Sequence, residues 1–596
     1  MEKTYDWSAY YQEALKRQKK ENRKLASELS DMQAKQEMLA AKYTKFTSGA
    51  FGKVLHASTL PKRAIKKLLG RSAGGARVTG ETVEATHPLY LAYEEKLASQ
   101  KYAYREWIRE IEVALPQIGK APEGAVEVLS FAEFASNLLA GDLWENEAKV
   151  LMVAEDPAAL SDDACGAAWA YFAAHPSARL WYAQEDQIDL SGERTLPWFK
   201  PRWSPETLIS FFYFGSFAAF RSETLGKCRE LLTEVCAQCC NDLEQDARSV
   251  VYAASLALAF ADMDAFAVDT TGQGMCEEVC GLTDRILYHR AATGSGQEDA
   301  CQPENAADPL KVNAAPQSPE PVVLETTNSM DYASCPQYFG YEARFVPIKQ
   351  AVLRRLGIQT RALFTSAPDV VSIVPVHDAA LVSIIIPSKD HPELVEQCLT
   401  QLLEKTTYPA LELILVDNGS GNEHRKQIET ITASLSARYH VRIHYQVEPM
   451  PFNFSKMCNL GADVANGKYL LLLNDDTTVC EQDWLEIMVG EAQYPGVGAV
   501  GAKLWYPTEE RIQHAGITNL AIGPSHKLVT FPDDRTYYFG HNTMNYVMSA
   551  VTAACLLVRA DLYRQVGGMD ETMAVAYNDV DLNFKLLEHG YRSVQR

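Results

Sequence analysis

The chain has 596 residues, 47% of them apolar and 22% charged, which is enough to build several packed domains and too apolar for a disordered chain. Its net charge of −21 is uneven: residues 1–110 carry 21 Lys+Arg against 13 Asp+Glu, leaving 35 against 64 for residues 111–596. So acidic a main body argues against nucleic acid as its partner, and thirteen cysteines at this length point to reduced thiols, not a disulfide scaffold.

The opening Met1-Glu-Lys-Thr-Tyr-Asp-Trp7 lacks the apolar core of a signal peptide, and no run of about eighteen uncharged apolar residues follows, which predicts a cytoplasmic protein. From about Tyr11 to Phe46, Leu25, Leu29, Met32, Leu39, Tyr43 and Phe46 keep a four-three spacing. That spacing predicts a helix, either packed on its own domain or pairing subunits as a short coiled coil. In Leu60-Pro-Lys-Arg-Ala-Ile-Lys-Lys-Leu-Leu69, Lys62, Arg63, Lys66 and Lys67 form a basic face. It is either solvated or rests peripherally on an anionic membrane surface.

These features make residues 1–110 an N-terminal helical and basic segment, and residues 111–292 a first globular region. Cys239-Cys240 and Cys276/Cys280 lack Cys-x-x-Cys partners and nearby His ligands, which argues against zinc. A stretch rich in Gly, Pro, Ala, Gln, Glu and Asn makes residues 293–330 a linker, and 331–380 a lead-in segment.

From residue 381 to 596 the pattern turns regular. Strands are predicted at 382–387, 411–416, 441–446 and 469–473, alternating with helices at 392–406, 422–437, 453–466 and 482–492. Such alternation implies right-handed βαβ crossovers, an α/β fold and a parallel sheet. Ligands of open α/β sheets bind beyond the carboxyl ends of the strands. At that edge the sequence sets Pro387-Ser-Lys-Asp390, Asp417-Asn-Gly-Ser420 and the paired carboxylates Asp475 and Asp476.

The first strand is followed by neither Gly-x-Gly-x-x-Gly nor Gly-x-x-x-x-Gly-Lys-Ser/Thr, so dinucleotide and P-loop readings lose their support. Asp417 can accept hydrogen bonds from a base or ribose, while Asn418-Gly419 permits close backbone approach, or the four residues are simply turn chemistry. Asp475 and Asp476 repel each other, a conflict that Mg²⁺ or Mn²⁺ bridging a diphosphate resolves; helix capping explains one of them at most. Further on, Tyr577-Asn-Asp-Val-Asp-Leu582 opens an amphipathic helix. There Asp579 is the candidate general base and Asp581 either a second acid or a dipole partner.

Together these residues resemble the family 2 glycosyltransferases, with the GT-A nucleotide-diphospho-sugar transferase fold, and most of all the tandem-domain bacterial rhamnosyltransferase-like type. The resemblance also covers Pro451-Phe-Asn-Phe-Ser455, Val497-Gly-Ala-Val-Gly-Ala502, Ile512-Gln-His-Ala-Gly516, Ser549-Ala-Val-Thr-Ala-Ala-Cys555 and Val566-Gly-Gly-Met-Asp570. It implies an inverting, metal-dependent transfer from a dTDP- or UDP-sugar to a saccharide or lipid-linked saccharide in surface polysaccharide synthesis. Pro387, Ser388, Asp417, Asn418 and Asp475 would face the donor, Asp476 would hold Mn²⁺ or Mg²⁺, Asp579 would deprotonate the acceptor, and Thr552 to Cys555 would line the acceptor side or pack as a strand.

Leu180-Trp-Tyr-Ala-Gln-Glu-Asp-Gln-Ile-Asp189, Trp198-Phe-Lys-Pro-Arg-Trp-Ser-Pro205 and Ile286-Leu-Tyr-His-Arg290 are similar to the late parts of such domains. Residues 111–292 therefore resemble a degenerate copy whose start is missing, with Ala154-Glu155-Asp156 at the Asp-x-Asp position and Asp156 and His289 as residual metal candidates. The family pattern continues beyond Gly590-Tyr-Arg-Ser-Val-Gln-Arg596 into a strand and a His, which implies truncation of the catalytic domain. Two other readings stay open: a metal-dependent nucleotidyltransferase, and a non-catalytic scaffold or binding protein built on inactive transferase domains.

Overall fold

The computed structural model describes residues 104–233, 247–261, 279–291, 345–364 and 371–596, short gaps aside, all within the compact unit Ser99–Arg596. The predicted N-terminal helix, the basic segment, the linker and Cys239, Cys240 and Cys276 lie outside the described residues.

Two sheets organise the described chain. The first contains Val126–Ser130 (β1), Val150–Ala154 (β2), Leu180–Ile188 (β3), Arg194–Trp198 (β4), Phe217–Arg221 (β5) and Cys280–Ala291 (β6), in the order β1-β2-β5-β3-β4 with β6 also on β3. A first strand, β1, is therefore present ahead of β2. The short strand β1 leads into the helix Phe131–Ala140, where Ser130 accepts from Glu133 N and the Glu133 side chain accepts from Ser130 N, a capping box. Half-buried Val-Glu-Val on an edge gives a weak strand signal, which is why the sequence concealed it.

A hairpin of Thr360–Phe364 (β7) and Val371–Pro375 (β8) precedes the second sheet. That sheet begins with Val382–Ser388 (β9), Leu411–Asp417 (β10), Ile443–Val447 (β11) and Tyr469–Leu473 (β12), and continues with Val497–Gly501 (β13). Two small hairpins follow: Leu504–Trp505 (β14) with Ile512–His514 (β15), and Ile517–Leu520 (β16) with Gly523–His526 (β17). Tyr546–Met548 (β18), Cys555–Arg559 (β19) and Arg592–Gln595 (β20) complete an eight-stranded sheet ordered β11-β10-β9-β12-β19-β13-β20-β18.

The apolar runs of β9, β10 and β12 are buried on both faces. Ile384, Ile386, Leu413, Leu415, Leu471 and Leu473 join one core with Val395, Leu399 and Ile428 of the overlying helices. Their neighbours Ile385, Ile414, Val416, Leu470 and Leu472 join Met457, Cys458 and Ala462 on the other side. Period-two alternation into two cores is what fixes this layered arrangement.

The prediction of a parallel sheet holds for β9 to β12 and again for the pair β13 and β20. Cys555–Arg559 enters antiparallel between β12 and β13, so the sheet is mixed. Residues 497–559 carry small hairpins instead of helical crossovers, and a chain returning that way runs antiparallel. Thr552–Ala554 form a loop and Cys555 begins β19. Near the end of the chain Arg592–Gln595 forms β20, parallel to β13 and antiparallel to β18.

The first sheet repeats the inner part of the second. In chain order, β1, β2, β3, β5 and β6 pair as β9, β12, β13, β19 and β20 do: the first with the second parallel, the second with the fourth antiparallel, the fourth with the third antiparallel, the third with the fifth parallel. Counterparts of β10 and β11 are absent from the first sheet among the described residues.

The contact between the two sheets is dry and specific. Arg592 of β20 and Glu206, in the helix Pro205–Ser210, form an ion pair of 2.7 Å with both side chains at most 1% exposed. Trp198 stacks on Phe539 at 4.3 Å, and Asn545 N donates to Ser210 Oγ at 3.2 Å. One apolar cluster runs through both sheets, from Leu129 to Val594.

Candidate active site

The register of the second sheet gathers the donor-side candidates on one edge. Asp417 pairs with Ser388 across β10 and β9, and β12, whose Leu472 pairs with Ile385, delivers Asn474, Asp475 and Asp476 just beyond its end. Ser388 Oγ donates to Asp475 Oδ2 at 2.6 Å, tying the first strand end to the acidic one. Pro387 is buried behind this link.

Asp417 is fully buried and already well supplied with donors. Its Oδ1 accepts from Ser420 N and Oγ, both at 2.7 Å, and its Oδ2 from the Tyr445 hydroxyl at 2.5 Å. Burial, and then this bond, hold the Tyr445 hydroxyl above the usual phenol range. Asn418 N donates to Ser388 O at 2.9 Å, and its Nδ2 donates to Met450 O at 2.8 Å. Gly419 adopts φ +77°, and a Cβ there would lie 3.0 Å from Pro449 Cα, so the turn needs its glycine. Asp390 closes the corner, its N–H on Ser420 Oγ at 2.7 Å and its Oδ1 accepting from Gly421 N at 2.8 Å.

Asp475 is half-buried and Asp476 exposed. Burial pushes the Asp475 carboxyl above the usual range, the Ser388 hydrogen bond opposes this, and the neighbouring Asp476 charge adds to it. The pair is thus an electrostatically frustrated set of hard oxygens, which fits a divalent cation. Among the described residues no group of three or more His, Cys, Asp or Glu is assembled to hold a metal unaided.

Asp579 joins from the other side. It lies in the first turn of the helix Asn578–Glu588, and its Oδ2 accepts from Ala553 N at 3.3 Å. In the same loop Ala554 O accepts from Asn474 N at 3.1 Å, so residues 551–554 connect the carboxylate corner to Asp579. Asn583 Nδ2 donates to Val551 O at 3.0 Å and to Asp579 O at 2.7 Å. The segment before Asp579 is stitched to the helix Phe454–Val464: Asn453 Nδ2 donates to Glu571 O, Ser455 Oγ to Met573 O and Asn459 Nδ2 to Met569 O. Pro451-Phe-Asn-Phe-Ser455 therefore acts by holding that loop. Asp581 pairs with Lys585 at 2.8 Å.

Tyr445 escaped the sequence reading because it stands diagonal to Asp417 across β10 and β11, a relation visible only once register is known. His514 escaped it as a site residue for the same kind of reason. Its Nε2 accepts from Gly516 N at 3.3 Å and Thr552 N at 3.4 Å, and its Nδ1 lies 2.9 Å from His526 Nδ1.

In the first sheet the register corrects the expected alignment by one residue. Ala154 pairs with Phe217 as Leu473 pairs with Cys555, and Glu155 N donates to Ser216 O as Asn474 N does to Ala554 O. Glu155, Asp156 and Pro157 thus stand at the positions of Asn474, Asp475 and Asp476. Arg248 is ion-paired with Glu155, Asp156 Oδ1 accepts from Ala158 N at 2.9 Å, and His289 is bonded to Asp186 at 2.6 Å. Asp156 and His289 hydrogen-bond to different partners.

The mixed sheet with its turn-and-carboxylate edge is an α/β arrangement of the GT-A kind. Residues 383–567 match the family described as Glycosyl transferase family 2, and the chain carries a domain of that family. The chain is 31% identical over 432 residues to the Sinorhizobium fredii protein y4gI, covering 71% of this chain and 40% of that protein. It is 30% identical over 430 residues to the O-antigen biosynthesis protein RfbC of Myxococcus xanthus, covering 71% and 28%. The matches therefore span less than half of either relative. Among solved structures, a mannosyltransferase of Pyrobaculum calidifontis in complex with GDP-Man and Mn²⁺ aligns at 17% identity and TM-score 0.28, over 37% of this chain and 56% of that one.

Proposed function

We propose that the chain transfers a sugar, with inversion, from a nucleoside-diphosphate donor to a saccharide acceptor in surface polysaccharide synthesis. The observation that carries this reading is the convergence of Ser388, Asp417, Asp475 and Asp476 on one sheet edge of a family 2 domain, with Asp579 bridged to that edge through Ala553 and Ala554. The RfbC likeness supports the polysaccharide setting. A dTDP- or UDP-sugar is the proposed donor and a saccharide or lipid-linked saccharide the acceptor.

Asp417 shapes the Asn418-Gly419-Ser420 turn and, with Tyr445, forms the floor for the base and ribose. Asp476, backed by Asp475, supplies oxygen ligands for Mn²⁺ or Mg²⁺; such an ion, when bound, neutralises charge on the leaving diphosphate. The Asp579 carboxylate takes the proton of the acceptor hydroxyl. The hydroxyl oxygen then forms its bond to the anomeric carbon, whose bond to the diphosphate breaks, and the nucleoside diphosphate leaves with the electron pair. In residues 111–292, the Pro157 position, the Arg248–Glu155 pair and the absence of floor strands among the described residues support a non-catalytic role.

The test is product analysis with UDP- and dTDP-sugars, Mn²⁺ and a saccharide acceptor. Release of nucleoside diphosphate together with a glycosylated product, lost by about a hundredfold or more in Asp476→Asn and in Asp579→Asn, is the expected result. Pyrophosphate release would replace this reading with nucleotidyl transfer. Surface polymer unchanged in cells carrying Asp476→Asn would favour the scaffold.

A further inference from the structure

His514 is fully buried at the end of β15, beyond hydrogen-bonding reach of the donor-side carboxylates in every contact it makes. Its Nε2 accepts from two backbone amides, Gly516 N and Thr552 N. That nitrogen therefore carries the lone pair, and the ring proton is on Nδ1, donated to His526 Nδ1 at 2.9 Å. Burial, and then the neighbouring His526, push the His514 imidazolium down to about 3 against the opposing pull of the Gln595 side chain, so the ring stays neutral while it accepts.

The amide it grips, Thr552 N, belongs to a loop with further attachments on both sides: one residue back, Val551 N donates to Asn583 Oδ1 and Val551 O accepts from Asn583 Nδ2. One residue on, Ala553 N donates to Asp579 Oδ2, and two residues on, Ala554 O accepts from Asn474 N. Ala553 packs into the core beside Val551, and the hydrogen bonds add to that packing in fixing where the amides of Thr552–Ala554 point. We infer that His514, kept in its Nδ1–H tautomer by the exposed His526, is a positioning residue: it holds the loop 551–554 so that the Ala553 amide orients Asp579 toward the acceptor hydroxyl. This rests on the transferase reading for the role of Asp579, while the loop geometry stands independently of it.

Two replacements of similar volume separate acceptance from packing. His514→Gln keeps an acceptor near the Nε2 position; His514→Met fills the space and accepts nothing useful. Hydrogen exchange of the amides in residues 549–556 is expected to quicken about tenfold or more in His514→Met and to stay near wild type in His514→Gln. In turnover of the UDP- or dTDP-sugar, kcat should fall about ten- to a hundredfold in the Met variant and stay within about threefold in the Gln variant. The Kd of UDP or dTDP measured with Mn²⁺ should be the same in both.

Equal exchange and equal kcat in the two variants would overturn the inference. A wild type that turns over no donor, with exchange still separating the variants, would sink the transferase reading and leave the loop-holding role standing. If His514→Met fails to fold, His526→Ala carries the test: faster exchange at 549–556 supports the inference, and wild-type exchange overturns it.

Discussion

Asp475 combines two demands that pull against each other. Its carboxyl is raised by burial and by Asp476, so its proton helps the fold at pH below the unfolded value, and that help is lost as pH rises through the folded one. At neutral pH the ionised group is a cost to the metal-free protein. Asp475→Asn should therefore raise the stability of the metal-free protein near pH 7 relative to wild type, with the gain shrinking toward about pH 4. Urea unfolding at the two pH values checks this; a destabilised variant at pH 7 would show the carboxylate to be better satisfied than its neighbours suggest. The residues of this corner were legible because apolar runs and abrupt polar ends mark strand termini. Tyr445 and His514 were not, since their partners lie on other strands or loops and depend on register, which no periodicity encodes.

Among the elements, the strand and helix alternation of residues 382–491 was legible to within about two residues, because β9, β10 and β12 are mainly apolar runs, β11 alternates, and the helices keep an amphipathic period. The direction of β19 and the existence of β1 were not: orientation depends on how intervening hairpins return the chain, and an edge strand of five half-buried residues gives little contrast. The shared pairing pattern of the two sheets makes a prediction of its own. The double change Glu155→Gln and Asp156→Asn should leave nucleoside-diphosphate release within about twofold of wild type, as expected of surface substitutions away from the chemistry. A loss comparable to that of Asp476→Asn would give the first sheet a catalytic share. Asn at 156 keeps an oxygen for Ala158 N, so the local turn survives the test.

For the whole molecule, the Glu206–Arg592 pair is a fully buried ionic link between the sheets. Arg592→Met leaves Glu206 buried without its partner and should cost about 3–5 kcal/mol, much of it recovered when Glu206→Gln is added. Denaturant unfolding of the single and double variants measures this coupling, and additive losses would show that the two side chains do not depend on each other. Nearby, burial pushes the Glu491 carboxyl up to about 7, against the pull of Arg596 and with the push of Glu206. Raised above its unfolded value, it contributes stability below about pH 4.5 that is lost as pH rises through about 7, so Glu491→Gln should flatten the alkaline side of the melting-temperature profile. A profile unchanged by that substitution would assign the alkaline slope to other groups. The place of β20 also matters before the protein is finished. β18 has its sheet neighbour only in β20, and β13 keeps one side open until Arg592–Gln595 is made. A nascent chain that has already emerged through residue 560 therefore carries an unpaired strand edge for as long as the next thirty or so residues take to appear, and such an edge is a template for pairing with other chains.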